Sequence, residues 1–175
     1  MNHDAYSDEY LRDILAACRT VAIVGASANT VRPSYFVLTY LLSKGYDVVA
    51  VNPGHAGRAI AGAPTVANLA AIGRPVDLID IFRNSTDAAK VVDEALALEP
   101  LPRAIWMQLG VRNDAAAAKA ETAGVRVVMN RCPKIEYARL AGEIGWAGVN
   151  SGLLTARKPA LTAGFQRFGI GGKAG

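Results

Sequence analysis

Apolar residues occur in this chain in two alternating patterns, short continuous runs and helical spacings. Each continuous run ends at polar or turn-forming residues, and its length is typical of a strand that is buried on both faces of a sheet. These runs predict five strands, at residues 20–24, 46–51, 76–82, 103–107 and 125–129.

Segments with apolar residues three and four positions apart lie between these runs and predict helices. The predicted helices cover residues 7–19, 33–44, 85–98, 113–124 and 132–140, with N-caps at Ser7, at Ser85 or Thr86, and at Asn113 or Asp114. Pro33 suits the first position of its helix, and Gly45 suits the residue that closes it. The stretch up to residue 64 is rich in glycine and alanine and predicts a loop with a short extended piece at 59–61, followed by a short helix at 66–72.

This alternation of strands and helices predicts an α/β fold, a doubly wound parallel sheet of about five strands with helices on both faces. Such an arrangement is Rossmann-like. We expect a single domain over residues 1–156, in which residues 142–152 are irregular and pack back through Trp146, Leu153 and Leu154. Residues 157–175 are expected to form a basic, glycine-ended tail.

Polar or glycine- and proline-rich loops follow all five predicted strands directly. Right-handed crossovers bring the carboxyl ends of parallel strands to one edge of the sheet, and ligands of open α/β sheets bind in the crevice at that edge. The first loop, at residues 25–33, leads into a helix N-terminus, whose N–H groups suit a phosphate. The sequence therefore predicts a site for a phosphorylated ligand at this edge.

The first loop lacks the full glycine motif of dinucleotide-binding proteins. The three glycine positions of GxGxxG are held by Gly25, Ser27 and Thr30. The second strand ends at Asn52 instead of the carboxylate that usually holds the ribose hydroxyls of NAD. A neutral strand end does not repel a phosphate on the ribose, so NADP and coenzyme A both remain open, and Arg32 could pair with that phosphate. A plain turn at Asn52 is equally compatible with this sequence.

Composition and charge limit the size of the domain and the kinds of partner that the chain could bind. The chain has 175 residues, 51% of them hydrophobic, which is enough for one domain with a sizeable core. No apolar run approaches the roughly 18 residues that span a bilayer, and the N-terminus does not resemble a signal peptide, so we expect a cytoplasmic protein without a membrane partner. The net charge of +4 is spread along the chain, which argues against a nucleic-acid partner.

The sequence carries no motif of nucleophilic or metal-dependent hydrolysis. Asp77 and Asp80 stand three residues apart in one predicted strand, which places them on opposite faces and argues against a catalytic carboxylate pair. His3 and His55 lie outside any catalytic pattern and are expected at the surface. No metal site is expected, because the cysteines and histidines do not cluster.

Two cysteines and a tryptophan have predicted structural roles. Cys18 lies on the apolar stripe of the first helix and is expected to be a buried, inert thiol. Cys132 begins the last helix between Arg131 and Lys134, features that would lower its pKa, yet a small buried residue at a strand–helix junction is the favoured interpretation. Trp106 is expected in the core because it lies in a strand.

A series of short motifs occurs along the chain in a recognisable order. They are Val24-Gly25-Ala26-Ser27, Arg32-Pro33-Ser34-Tyr35, Gly45-Tyr46, Val51-Asn52-Pro53, Val76-Asp77-Leu78, Ile81-Phe82-Arg83, Trp106-Met107-Gln108-Leu109-Gly110 and Asn130-Arg131-Cys132-Pro133-Lys134-Ile135-Glu136. Together they resemble the small bacterial CoA-binding domain proteins, whose domain is similar to the N-terminal CoA-binding domain of the succinyl-CoA synthetase α subunit. The resemblance covers roughly residues 10–155.

This resemblance implies that coenzyme A binds in the crevice described above. It places the nucleotide end along Gly25, Ala26 and Ser27, with Arg32 and Pro33 at the helix start, and the adenosine beside Asn52 and Pro53. The adenine and diphosphate region would lie at Phe82 and Arg83. The pantetheine would lie beside Gln108 and Gly110, and the thiol end near Asn130 and Cys132. The chain has no counterpart of the synthetase domain that carries a phosphorylated histidine, so the resemblance implies binding without synthetase catalysis.

We therefore expect a protein that binds coenzyme A or an acyl-CoA, as a monomer or homodimer, with no evident catalytic machinery. An NAD(P)-dependent oxidoreductase and a nucleotide-sensing regulator are the alternatives. The oxidoreductase would need a proton donor at a nicotinamide site, and the regulator would need a DNA-binding segment, and the sequence shows neither.

Overall fold

The computed structural model describes residues 1–143. Five α-helices and seven strands form within this range. In chain order they are α1 (Asp8–Ala17), β1 (Thr20–Val24), α2 (Pro33–Ser43), β2 (Asp47–Val51), β3 (Ala59–Ile60), β4 (Ala63–Val66), β5 (Leu78–Ile81), α3 (Ser85–Leu96), β6 (Ala104–Met107), α4 (Asp114–Thr122), β7 (Arg126–Val128) and α5 (Pro133–Leu140), with short 3₁₀ turns at Pro53–His55 and Ala70–Ile72.

These strands form one sheet in the order β3-β4-β2-β1-β5-β6-β7. All neighbours pair in parallel except β3 and β4, which are antiparallel. The order reverses at β1, which lies between β2 and β5, so the carboxyl ends of the central strands open a crevice there. The predicted α/β, Rossmann-like fold is confirmed.

The sheet is wider than the sequence predicted, because β3 and β4 were expected to be a loop and the start of a helix. The hairpin between them turns through Ala61 and Gly62, both with positive φ. Strand β4 then joins β2, with Thr65 opposite Ala50 and Val66 beyond it. Glycine, alanine and proline are poor strand formers, so this strand depends on its pairing with β2 and gives little local signal.

Both faces of the sheet are covered. On one face Val21 and Ile23 of β1 pack in a core with α1, α2 and α5, and on the other Ala22 and Val24 pack in a core with α3 and α4. Trp106 is fully buried in the first core, where its indole Nε1 donates to the carbonyl oxygen of Arg131 at 2.8 Å. The core position predicted for Trp106 is therefore confirmed.

Cys18 is also buried in the first core, and burial raises the pKa of its thiol to about 12. A thiol with so high a pKa is almost entirely protonated at neutral pH. The prediction of an inert thiol at this position is confirmed.

Side chains cap three of the helices. Ser7 Oγ accepts from the backbone N–H of Tyr10, and Asn113 Oδ1 accepts from that of Ala116, as predicted. Helix α3 differs, because Asn84 caps it in place of the predicted Ser85 or Thr86. Asparagine is at least as good an N-cap as serine and stands one residue earlier, where the backbone is still extended.

His3 was predicted at the surface, but it is 9% exposed. Its Nδ1 lies 2.8 Å from the hydroxyl of Tyr6, and its Nε2 lies 3.4 Å from a carboxylate oxygen of Glu121 on α4. The prediction was wrong because the N-terminal segment packs against the sheet edge, where Tyr6 Oη accepts from the backbone N–H of Met129. His55 is partly exposed.

In the part of the chain that the structure describes, no helix is long and apolar enough to cross a membrane. The predicted packing of Trp146, Leu153 and Leu154, the domain boundary at residue 156 and the tail at 157–175 lie outside the described residues.

Replacement of Thr65 by valine tests the packing of β4. Thr65 is 4% exposed, and its hydroxyl oxygen has no hydrogen-bond partner within residues 1–143. Valine has almost the same shape without a polar atom to leave unsatisfied, so we expect Thr65→Val to raise the free energy of unfolding by about 1 kcal/mol. Urea denaturation measures this change, and a loss of stability would show that the hydroxyl has a partner that it needs.

Candidate functional site

Two adjoining cavities open at the carboxyl edge of the sheet. The first has a volume of about 760 Å³ and the second about 590 Å³. Pro33, Phe82 and Arg83 line both, so the two form one continuous crevice that bends around these three residues. This is the edge at which the sequence predicted a ligand site.

Eleven of the thirteen predicted site residues line this crevice. The first cavity is lined by Gly25, Ala26, Ser27, Arg32, Pro33, Asn52, Pro53, Phe82 and Arg83. The second is lined by Gln108 and Cys132 together with the three shared residues. Gly110 and Asn130 line neither cavity.

Gly25 lets the loop after β1 approach the loop after β5. Its N–H donates to the carbonyl oxygen of Val51 on β2, and the N–H of Phe82 donates to that of Val24 at 2.8 Å. The φ angle of Gly25 is +86°, and a Cβ at this position would lie 3.0 Å from the carbonyl oxygen of Phe82. Only glycine tolerates both the backbone angle and this contact.

The rest of the first loop is held by side chains. Ser34 Oγ accepts from the N–H of Ser27 at 3.1 Å, and Asn52 Nδ2 donates to the carbonyl oxygen of Ala26 at 2.7 Å. Asn52 Oδ1 accepts from the N–H of Gly54. Asn52 therefore forms a turn, one of the two alternatives left open by the sequence, and it also ties the end of β2 to the first loop.

Helix α2 points its N-terminus into the first cavity. Pro33 is its first residue and Arg32 its N-cap, and no side chain caps this end. Backbone N–H groups at such an end favour an anion. The exposed guanidinium of Arg32 adds a positive charge to the same wall.

Helix α3 forms another wall of the first cavity, which sequence reasoning missed. Asp87, Lys90, Val91 and Glu94 line the first cavity from this helix, and Asp87 accepts from Arg83 at 3.3 Å. Residues three and four positions apart share one face of a helix, and Asp87, Lys90 and Glu94 follow this spacing in the sequence. The same spacing of charged residues is found on helix surfaces that face only water, so it did not indicate a cavity wall.

The second cavity is mainly apolar. Its walls include Phe36 and Val37 of α2, Leu109 and Val111 of the loop after β6, and Ile135 of α5. Among these, Phe36, Leu109 and Ile135 are large apolar side chains with substantial exposure. Sequence reasoning missed these walls because isolated apolar residues in loops and on helices carry no motif.

A buried carboxyl group lies beside the second cavity. Asp80 of β5 is completely buried, and Gln108 Nε2 donates to its Oδ1 at 2.9 Å and to its Oδ2 at 3.1 Å. Burial raises the pKa of Asp80 to about 8, although the hydrogen bond from Gln108 opposes the shift. Burial disfavours the charged form of this carboxyl group, and the amide of Gln108, which donates to both of its oxygens, partly restores it.

Asp77 has the opposite environment. Burial opposes its ionisation, but hydrogen bonds from the N–H groups of Thr20 and Arg19 and from Arg103 hold the pKa of Asp77 below its ordinary value. These hydrogen bonds connect Asp77, just before β5, to the beginnings of β1 and β6, at the edge of the sheet away from the cavities. Asp77 and Asp80 therefore do not form a carboxylate pair, as predicted.

Cys132 lines the second cavity, but its thiol is not activated. Burial raises its pKa, and the N–H groups of Ile135 and Lys134 only partly offset this effect. The charge of Lys134 does lower this pKa, but desolvation outweighs it because the side chain is 8% exposed. The favoured interpretation of Cys132 as a small buried residue is confirmed.

Neighbouring loops around the crevice are tied together. Asn130 Oδ1 accepts from the N–H of Gly110 at 2.8 Å, which joins the loops after β7 and β6. Ser85 Oγ accepts from the N–H of Arg112 at 3.0 Å, which joins the loops after β5 and β6. Gly110 and Asn130 thus support the rim from outside the cavities. Within residues 1–143, no three potential metal ligands cluster.

Replacement of Gly25 by alanine tests the close approach of the two loops. Gly124 is the matched control, because its φ of +84° is nearly the same but a Cβ at that position would have no atom within 4 Å. Both alanine variants suffer the backbone strain of about 1 kcal/mol, whereas Gly25→Ala adds a steric cost of about 1–3 kcal/mol. Denaturation measures both losses, and equal losses would contradict the contact with Phe82.

Replacement of Asp80 by asparagine tests the burial of its carboxyl group. An unfolded aspartate has a pKa of about 3.9, so between that pH and about 8 the folded wild type binds more protons than the unfolded chain. Wild-type stability therefore falls as the pH rises through this window. We expect the stability of Asp80→Asn relative to wild type to increase from pH 4 to pH 8, by on the order of a few kcal/mol.

Asp77→Asn is the control for this experiment. The pKa of Asp77 is lowered on folding, so its carboxylate stabilises the protein above the unfolded pKa and loses this effect as the pH falls. The cost of Asp77→Asn should therefore shrink on acidification. A stability difference between Asp80→Asn and wild type that does not change with pH would contradict the raised pKa of Asp80.

Comparison with known proteins identifies relatives of similar size. Protein YneT of Bacillus subtilis, which is uncharacterized, is 30% identical over 128 residues, 73% of this chain and 92% of its own length. A Thermus thermophilus protein of known structure is 36% identical with a TM-score of 0.72, over 77% of this chain and 99% of that one. A hypothetical protein from Pyrococcus horikoshii OT3 is 32% identical with a TM-score of 0.72, over 78% of this chain and 94% of that one.

The family model of the CoA binding domain matches residues 19–138, which include β1, β7 and both cavities. This match agrees with the resemblance found in the sequence motifs. Since it spans more than half of the 175 residues, the chain belongs to the CoA binding domain family.

Proposed function

We propose that this protein binds coenzyme A along the two adjoining cavities, with the nucleotide end in the first and the pantetheine arm in the second. The observation that carries this proposal is the contrast between the two cavities. One is lined by a helix N-terminus and by charged side chains, three of them positive and two negative, whereas the other is mainly apolar. Pro33, Phe82 and Arg83 border both. A ligand with a polyanionic end and a long, weakly polar arm matches this shape and chemistry.

The first cavity supports the placement of the nucleotide end. The N–H groups at the start of α2 and the guanidinium of Arg32 suit a diphosphate. Asn52 at the end of β2 is neutral, so it does not repel a phosphate on the ribose. Lys90 of α3 adds a third positive side chain, after Arg32 and Arg83, while Asp87 and Glu94 of the same helix are negative.

The second cavity supports the placement of the arm. Val37, Val111 and Phe36 offer apolar contact, and Gln108 offers a polar group at the inner end. Burial raises the pKa of the Cys132 thiol, which disfavours the thiolate form that a nucleophile needs. These features favour binding over catalysis, and the same apolar walls would accept the acyl group of a short acyl-CoA.

Isothermal titration calorimetry with coenzyme A, acetyl-CoA, NADP and NAD tests this function. We expect binding of coenzyme A and acetyl-CoA, and weaker binding of both nicotinamide dinucleotides, which lack an arm for the apolar cavity. Binding of NADP or NAD without a response to coenzyme A would overturn the proposal in favour of the oxidoreductase alternative.

Arg32→Ala tests the role of this side chain toward phosphate. If Arg32 binds the ribose phosphate, the variant loses more affinity for coenzyme A than for dephospho-CoA. The extra loss should be about 10-fold, as for one charge-assisted hydrogen bond. If it binds the diphosphate, which both ligands carry, the two losses are equal. Arg58→Ala is the matched control, because Arg58 is exposed and lines neither cavity, so it should leave both affinities unchanged.

A further inference from the structure

Asp80 occupies a position where an apolar residue would be expected. It lies in β5 in the centre of the sheet, opposite Ile23 on β1 and Trp106 on β6, and it is completely buried. Gln108 supplies both of its side-chain hydrogen bonds. A buried carboxyl group with so few partners costs stability that an apolar residue would not. Such a cost suggests a role outside folding.

Gln108 links this carboxyl group to the second cavity. The residue follows β6 directly, and its side chain is held against Asp80 by both bonds from Nε2. With Nε2 engaged, the amide oxygen Oε1 is left without a hydrogen-bond partner among residues 1–143, but it is not sealed from solvent. Because Gln108 lines the second cavity and Oε1 is accessible, we place this acceptor at the cavity wall.

The surroundings of this acceptor restrict what it can bind. Most of the second cavity wall is apolar, from Val37, Val111 and Phe36 among others. Arg83 and Lys134 also line this cavity and could pair with an anion, but Oε1 is itself an acceptor and repels a carboxylate or phosphate placed beside it. A chain that is mainly apolar and carries an uncharged N–H group could satisfy Oε1 and bury its remaining surface against these walls.

We propose that Asp80 is a positioning residue that fixes the amide of Gln108, so that Oε1 accepts a hydrogen bond from a secondary amide N–H of the bound ligand. This inference rests on the proposed function, in which the pantetheine arm of coenzyme A supplies the amide. Asp80 touches no ligand atom in this arrangement. It acts by keeping Nε2 of Gln108 turned inward.

Calorimetry on three variants, Asp80→Leu, Gln108→Leu and the double variant, tests this proposal with two ligands. Coenzyme A carries the amide arm, whereas adenosine 3′,5′-bisphosphate has no arm. Each single variant should weaken coenzyme A about 3- to 10-fold, the range for one neutral hydrogen bond, and leave the bisphosphate unchanged. The double variant should lose no more than Gln108→Leu alone, because Asp80 acts through Gln108.

Stability separates this role from a structural one. Asp80→Leu replaces a buried carboxyl group with an apolar side chain, so it should fold at least as stably as wild type while binding coenzyme A less tightly. If Gln108→Leu does not fold, the double variant takes its place, because it has no buried polar group at either position. Its affinity for coenzyme A should then equal that of Asp80→Leu. Thr65→Val, which removes a buried hydroxyl from a residue that lines neither cavity, should leave affinity unchanged.

Unchanged affinity of Asp80→Leu or Gln108→Leu for coenzyme A would overturn the proposal. Additive losses in the double variant would also overturn it, since Asp80 would then act independently. An equal loss for the bisphosphate would show a general distortion of the crevice in place of a specific contact. If wild type does not bind coenzyme A at all, the proposed function itself fails, which is a separate result.

Discussion

The close approach of two loops at Gly25 is the constraint on which the site depends. The loop after β1 and the loop after β5 meet where a side chain at position 25 would collide with the carbonyl oxygen of Phe82. Phe82 and Arg83 stand at this junction and border both cavities. A wider separation of the two loops would change the volume of each cavity and the path between them. The absence of a Cβ at Gly25 thus allows the separation of the two loops on which the shape of the crevice depends.

The sequence was sufficient for the fold and for most of the crevice, because both depend on patterns that repeat. Continuous apolar runs followed directly by polar loops mark the buried strands and place the loops at one edge. The β4 strand could not be recognised in this way, since Ala63, Pro64 and Thr65 favour a strand only beside β2. The buried position of His3 likewise depends on contacts with Tyr6 and Glu121, which are distant from any local pattern.

Two properties of the site that the sequence left undecided have a common physical origin. The charge neighbours of Cys132 are visible in the sequence and its burial was the favoured interpretation, but only the structure shows that desolvation outweighs those charges and sets the direction of its pKa. The same holds for Asp80, which looks like one of two strand aspartates until its complete enclosure is known. Sequence shows which charges are near one another along the chain. It does not show how much water remains around them, and desolvation is the larger effect at both positions.

The hydrogen bonds between neighbouring loops have a consequence for the kinetics of binding. Asn52 joins the first loop to β2, Ser85 joins the loops after β5 and β6, and Asn130 joins the loops after β6 and β7. A rim that is already cross-linked has little conformational entropy left to lose when a ligand arrives. For coenzyme A, the ligand proposed above, the slow step of association would then lie with its long flexible arm, which must find its extended shape, and not with a rearrangement of the protein.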